Sequence, residues 1–334
     1  MPLVSVLLPV RNEAAYLWRC LRSLARQSFD DFEIILIDDG SIDSSLSIAK
    51  RFAAGEPRLR VFPRPLQGLI ISLNEAAALA QGELLARMDG DDLAHRERLE
   101  KQVRFLAEHP EVDVVGCLVK MFPRRALLEG MLRYEEWLNS VVTTEQIERD
   151  LFVESPFAHP SVMMRRRAFE AVGGYQDNGW AEDYDLWMRM ALAGCRFGKV
   201  PEVLHFWRDR PERLSRVAER YSLRNFRRLK MHYLKQGFLR GQSCVQVWGA
   251  GRGGKVFARV ILEAGFRITR FIDIDPKKIG GRLKEAPVCD PSVLEVGPQD
   301  PLLVVVGVKG ARQLIRNYLD ARGWVEHRDY VCLA

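Results

Sequence analysis

No stretch of this 334-residue chain approaches the ~18 consecutive apolar residues of a membrane-spanning helix. Met1 leads directly into the short strand-like run "LVSVLLPV", with no basic segment and cleavage site before it. The expectation is a cytoplasmic protein, with a peripheral contact at the inner face of the membrane left open. Cysteine is sparse: the six (Cys20, Cys117, Cys195, Cys244, Cys289, Cys332) include no CxxC pair, and the six histidines form no HExxH, so neither a disulfide framework nor a zinc site is suggested. Low-complexity tracts are absent. Neither sign of charge dominates, with 50 Lys and Arg against 44 Asp and Glu, and the net +6 permits an anionic partner without choosing one. No motif points to nucleic acid, and none is expected as a partner.

What is present is apolar material, 47% of residues, enough to form the cores of two domains. Over the first hundred-odd residues β-type apolar runs alternate with longer amphipathic ones, the pattern of strand–helix–strand units and a mainly parallel α/β sheet. Strands are expected at Val4–Leu8, Glu33–Ile37, Leu59–Phe62, Glu83–Met88 and Val112–Leu118, and helices at Ala14–Arg26, Ser44–Phe52, Leu69–Ala80 and Arg96–Glu108. An insert over 121–150 is less readable. Eleven Lys and Arg against three Asp and Glu between Arg208 and Arg240 mark a basic helical segment. Beyond it the alternation resumes in a second, smaller unit. The expected division is 1–215, a connector over 216–240, and 241–334.

In open parallel sheets ligands lie beyond the carboxyl ends of the strands, where this chain is unusually polar. The segments "PVRNE", "DDGS", "PRPLQG" and "RMDGDD" bring Arg11, Glu13, Asp39, Arg64, Arg87, Asp89 and Asp91 to one edge, suited to a polar ring and phosphates. Asp39 can accept hydrogen bonds from a base or ribose, and Arg64 and Arg87 suit phosphate oxygens. Asp89 and Asp91, separated by one glycine, offer hard oxygen ligands to Mg²⁺ or Mn²⁺. Asp92 reads as the N-cap of the following helix, and Asp38 as the acid bonding the turn at Gly40. Glu13 is readable either as a pocket residue or as a first-turn helix acid.

The segments "VSVLLPVRNEAAYLWRCLRSLARQSFDDFEIILIDDGS", "ARMDGDD", "AHPSVMMRRRAFEAVGGY" and "WAEDYDLWMRM" together resemble the ordered motifs of the family-2 inverting glycosyltransferases, over about residues 3 to 215. The resemblance implies a GT-A fold and a nucleotide-sugar donor, usually UDP-linked, with Asp39 at the base, Asp89 near the ribose and Asp91 on the metal. Pro9, Arg11 and Glu13 would line the nucleoside pocket. It also implies that the base lies in a Glu-Asp pair opening a helix, here Glu182 and Asp183. Single displacement at an anomeric carbon needs one carboxylate to take the acceptor proton, and Asp183 is assigned that role, with Asp185 as rival. Trp180, ending the Gly-rich "VGGYQDNGW", is placed with Glu182 and Arg210 at the sugars, the acceptor being a glycan or lipid-linked glycan. Relatives carry a Tyr-Arg-x-His-like element after this helix, whereas this chain has Arg210 where the His would fall, which disfavours a histidine metal ligand or makes Arg210 a diphosphate clamp. His159 reads as a structural histidine beside the acceptor cleft.

In the second unit, "WGAGRGGK" sets Gly249, Gly251 and Gly254 between an apolar run and a helix, with Asp273 about twenty residues on, in the context of a dinucleotide fingerprint. This supports a rival function, an NAD(P)-dependent oxidoreductase or nucleotide-sensing module. A third reading has the glycines serving helix–sheet packing alone, with the unit mediating docking or homo-oligomerisation.

Overall fold

The computed structural model describes residues 1–295 and 300–334. The first compact unit comprises residues 1–148 and 156–218, and the second residues 149–155 and 219–334. In the first unit, strands β1 (Val4–Val10), β2 (Phe32–Asp39), β3 (Leu59–Arg64) and β4 (Leu84–Arg87) alternate with helices α1 (Leu17–Ala25), α2 (Ser45–Ala53) and α3 (Leu69–Leu79). Every residue of β1 and β2 is buried, as central parallel strands covered on both faces require. Helix α1 buries Leu17, Cys20, Leu21 and Leu24, a stripe at helical spacing that packs with Val4, Val6 and Leu8 in the main core.

Strand β5 (Leu93–Ala94), α4 (Arg98–Glu108) and β6 (Val112–Phe122) follow. The insert over 121–150 contains two helices, α5 (Glu129–Ser140) and α6 (Thr144–Asp150), and then come β7 (Met163–Arg165), α7 (Arg166–Ala171), α8 (Glu182–Leu192) and β8 (Arg196–Arg208). The strand order is β3-β2-β1-β4-β7-β6-β8-β5. The half from β3 to β4 is parallel throughout, whereas β7 runs antiparallel to both β4 and β6, and β5 antiparallel to β8. The sheet is therefore mixed, because the three residues of β7 fill the gap between β4 and β6 in the reverse direction.

After α9 (Leu214–Val217), α10 (Leu223–Gln236) opens the second unit's long run, followed by β9 (Cys244–Trp248), α11 (Arg252–Glu263), β10 (Arg267–Ile272), β11 (Arg282–Leu283), β12 (Ala286–Cys289), β13 (Leu302–Val304), α12 (Ala311–Asp320) and β14 (Tyr330–Cys332). The sheet order is β11-β12-β10-β9-β13-β14, parallel from β12 to β14, which is a Rossmann-like arrangement with β9 at its centre. Much of the basic segment is a core element of this unit: α10 packs Met231 and Leu234 against Val245 and Phe257. Lys230 is buried and donates to the carbonyls of Val153 (2.7 Å) and Leu333 (3.0 Å). Among the described residues no helix is long and apolar enough to cross a membrane.

Candidate active site

The loop after β1 is built before any ligand is considered. Asn12 takes a left-handed backbone (φ 54°) and its side chain accepts from Ile42 N at 2.9 Å, while Glu13 N donates to Ser45 Oγ at 2.7 Å. These bonds fasten the end of β1 to the loop after β2 and aim the Glu13 side chain inward. Arg11 is exposed beside it and Pro9 is buried in β1. Asp38 accepts from Ser41 N at 3.4 Å, within the turn at Gly40. Asp39 holds the next loop: its carboxylate accepts from Gln67 N (2.7 Å) and Gly68 N (3.0 Å). Arg64 is matched by Glu75 of α3, with Nε to Oε1 at 2.5 Å, so its charge is committed along β3.

The loop after β4 supplies the acids. Oxygens of Asp89, Asp91 and Asp92 lie within 4.8 Å of one another, the one such cluster of potential metal ligands among the described residues. Gly90 lets Glu13 and Val10 close in, since a Cβ there would sit tightly at 3.2 Å from Glu13 Cγ and 3.3 Å from Val10 Cγ2. Asp89 is paired through Oδ1 with Arg87 Nη1 at 2.7 Å, and Arg87 is almost wholly buried.

Asp92 corrects the expectation of a helix cap. Helix α4 begins at Arg98, six positions later, with β5 between them. Asp92 instead accepts from His205 Nε2 at 2.9 Å and from Arg208 N at 2.6 Å, which pins β5 to β8. Arg98 Nη1 lies 3.3 Å from His205 Nδ1 and can only donate, so that nitrogen accepts and the ring's proton sits on Nε2, facing Asp92. Burial holds His205 well below its usual pKa, hence neutral, and pushes Asp92 up.

Arginines leaving β8 complete the cluster. Arg208 Nε donates to Asp91 O at 2.7 Å, and its guanidinium lies 4.4 Å from the ring centres of both Tyr16 and Phe122. Two residues on, Arg210 reaches Asp91 Oδ2 from Nε at 2.9 Å and bonds Glu13 Oε1 through Nη2. Burial, then the Asp91 charge, raises Glu13 to about 8, and burial with the neighbouring aspartates raises Asp91. Glu13 Oε2 is buried with no hydrogen-bond partner. An all-oxygen donor set with an unsatisfied carboxylate oxygen fits a hard divalent cation.

At the start of α8, Glu182 is buried, with Oε1 3.7 Å from His159 Nδ1, and Asp183 is half-buried, its Oδ1 accepting from Tyr184 N at 2.7 Å. His159 Nε2 meets Tyr175 Oη at 2.7 Å, and burial depresses its pKa, consistent with a neutral structural ring. The rival Asp185 is fully buried and spends its oxygens on Trp180 Nε1 (2.7 Å), Asn178 Nδ2 (3.1 Å) and Arg189 Nε (2.8 Å). It fastens the Gly-rich loop, and Trp180 stands half-buried beside it. Sequence reasoning did not find His205, Arg98 or Arg208; the arginine run "FWRDRPER" after β8 was the available signal for the last.

In the second unit Gly254 is dictated by packing, since a Cβ would lie 1.7 Å from Gly249 O. Gly249 has φ +119°, and Gly251 precedes α11. Asp273 turns onto its own loop: it accepts from Ala250 N (2.8 Å) and Asp275 N (2.9 Å) and pairs with Lys278 (3.1 Å). The packing role is thus explicit for Gly254, whereas a Cβ at Gly251 would meet only Lys278 Nζ, at 3.9 Å.

Known proteins match both sequence and fold. The profile of glycosyl transferase family 2 matches residues 5–173. The chain is 33% identical over 232 residues to EpsE of Bacillus subtilis (strain 168), named as a glycosyltransferase, covering 67% of this chain and 79% of that protein. It is 30% identical over 243 residues to the amylovoran biosynthesis glycosyltransferase AmsE of Erwinia amylovora, covering 71% and 89%. Among solved structures, S. aureus TarS 1–349 in complex with UDP-GlcNAc superposes with a TM-score of 0.56 at 23% identity, over 70% of this chain and 67% of that one.

Proposed function

Since this chain belongs to glycosyl transferase family 2, we propose that it moves a hexosyl group, with inversion, from a nucleotide-sugar, UDP-linked, to a hydroxyl of a glycan or lipid-linked glycan. The observation that carries this reading is the convergence of Glu13, Asp89, Asp91 and the arginines after β8 at one end of the mixed GT-A sheet. TarS, of the same fold, is seen with UDP-GlcNAc, and AmsE takes its name from polysaccharide biosynthesis.

Roles follow from position and chemistry. The loops bearing Pro9, Arg11 and Asp39 take the nucleoside, with Asp39 keeping acceptor capacity beside its two backbone donors. Asp89, steadied by Arg87, faces the ribose and sugar side. Asp91, with Asp89, would hold Mn²⁺ or Mg²⁺, which when bound supplies positive charge against the leaving diphosphate. Asp183 takes the acceptor hydroxyl proton as that oxygen attacks the anomeric carbon; the bond to the diphosphate oxygen breaks, and the electron pair leaves with the nucleotide. Its half-buried position suits a group that meets an incoming hydroxyl, whereas Glu182 is enclosed.

The test is Asp183→Asn, which keeps shape and removes charge. Turnover with saturating acceptor should fall by roughly 10²–10⁴-fold while nucleotide affinity stays nearly intact. Retention of more than about a tenth of the wild-type rate refutes the role, and parallel loss of nucleotide affinity marks a structural acid instead. Screening nucleotide-sugars for metal-dependent hydrolysis names the donor.

A further inference from the structure

Arg210 occupies an unusual position for a residue in a cation site. The backbone that delivers it is tied down: Arg208 N donates to Asp92, Arg208 Nε to Asp91 O, and the Arg208 side chain is held between Tyr16 and Phe122. The guanidinium of Arg210 is therefore led directly onto Asp91 and Glu13, bridging the two carboxylates, with its carbon 5.6 Å from the Tyr16 ring centre. The two contacts differ in quality. The bond to Glu13 is formed, but the Arg210 Nε that faces Asp91 at 2.9 Å makes no aligned hydrogen bond although it is buried. The charge is matched while the directional bond is not, which is a holding contact open to replacement.

A divalent ion on Asp91 has to approach its oxygen to about 2.0–2.2 Å, and a guanidinium already on that carboxylate repels it over a few ångströms at low effective dielectric. A diphosphate changes the balance. It brings several negative charges and a planar pair of oxygens that a guanidinium binds two at a time, a better partner than a misaligned carboxylate. Resting on the reading that this site takes a nucleoside diphosphate, we propose that Arg210 is an exchangeable counter-cation of the Asp91 pocket. It holds Glu13 and Asp91 in the free protein, transfers to the diphosphate when the nucleotide binds, and so yields the carboxylates to the divalent ion. Nucleotide and metal then bind together, each weak without the other.

The experiment titrates Mn²⁺ alone, by electron paramagnetic resonance of the free ion, into wild type, Arg210→Gln and Arg210→Lys, and then UDP at saturating Mn²⁺ by calorimetry. Arg210→Gln should bind Mn²⁺ about tenfold tighter without nucleotide and UDP about tenfold weaker with it, effects of opposite sign that follow from removing one charge near both ligands. Arg210→Lys, which keeps the charge, should stay within about threefold of wild type for Mn²⁺ alone. Adding Asp91→Asn to either variant should abolish Mn²⁺ binding, leaving the full free-ion signal seen without protein, which confirms the site being read. Unchanged or weaker Mn²⁺ binding by Arg210→Gln overturns the proposal, since an arginine of purely structural role would weaken both ligands. If Mn²⁺ tightens as expected but neither UDP nor GDP binds any variant, the donor reading fails and the exchange onto diphosphate is overturned with it, leaving Arg210 only as the cation that holds Glu13 and Asp91.

Discussion

Asp92 shows how a residue's partners decide what its loss costs. As a surface cap its removal would cost about 1 kcal/mol, but it is buried against His205 and the amide of Arg208. Asp92→Ala leaves His205 and that amide without their acceptor, so a loss of about 3 kcal/mol is expected, read as a lowered urea midpoint with unchanged m-value. Its neighbour should behave oppositely. Asp91→Ala removes a carboxylate that burial strains, so the fold should keep its stability while Mn²⁺-dependent UDP binding disappears from calorimetry. The distinction between the two aspartates was not legible in "DGDD", because His205 lies 113 positions from Asp92 and only the pairing of β5 with β8 brings them together. Asp39 is similar: its type and place after β2 suggested an acceptor, but its hold on the loop at Gln67 and Gly68 depends on a contact across β3.

At the scale of elements, local pattern served well where helices and strands alternate. The expected Leu69–Ala80 helix is α3 over Leu69–Leu79, because its apolar run is bounded by Gly68 and the extended Ala80. It served poorly where length falls below a periodicity: β5 has two residues and β7 three, too few for alternation to declare a strand or its direction. Helix α10 carries two messages at once. Asn225, Leu229 and Tyr233 are buried, while Arg224, Arg228, His232 and Lys235 recur on the exposed side at helical spacing. If that stripe meets an anionic membrane carrying the acceptor, binding to phosphatidylserine vesicles should weaken steeply with salt and vanish in Arg224→Glu/Arg228→Glu, with neutral vesicles unbound throughout. Equal binding to neutral and anionic vesicles would leave the stripe as a solvated face.

For the whole molecule the acid cluster predicts an inverted pH response. Burial raises Glu13 from 4.5 to about 8, so between those values the folded chain keeps a proton that the unfolded chain has lost. Stability therefore falls as pH rises through that window and levels off above it. His159 and His205, kept neutral by burial, act the other way below their usual 6.5, where the unfolded chain gains protons that the folded one refuses. Above 6.5 the histidines drop out, Asp91 and Asp92, raised by burial to about 7 and about 8, add to the fall, and buried Lys199 and Lys230, lowered to about 7 and about 8, offset part of it. In chelator the urea midpoint should drop between about pH 6.5 and about pH 8.5, and saturating Mn²⁺, which needs the ionised carboxylates, should abolish the drop. Two α/β units were legible from the resumed alternation after Arg240, but residues 149–155 gave no sign of where they belong. They lie in chain order within the first unit and fold as part of the second, where Arg316 donates to Asp150 at 2.7 Å and Lys230 to Val153 O at 2.7 Å. The consequence is genealogical. Recombination at a single breakpoint near residue 218 could not trade the C-terminal unit for another, because the departing unit would leave behind a buried carboxylate stripped of its arginine and the arriving one would lack its strap. Exchange of the second unit would have to carry residues 149–155 with it.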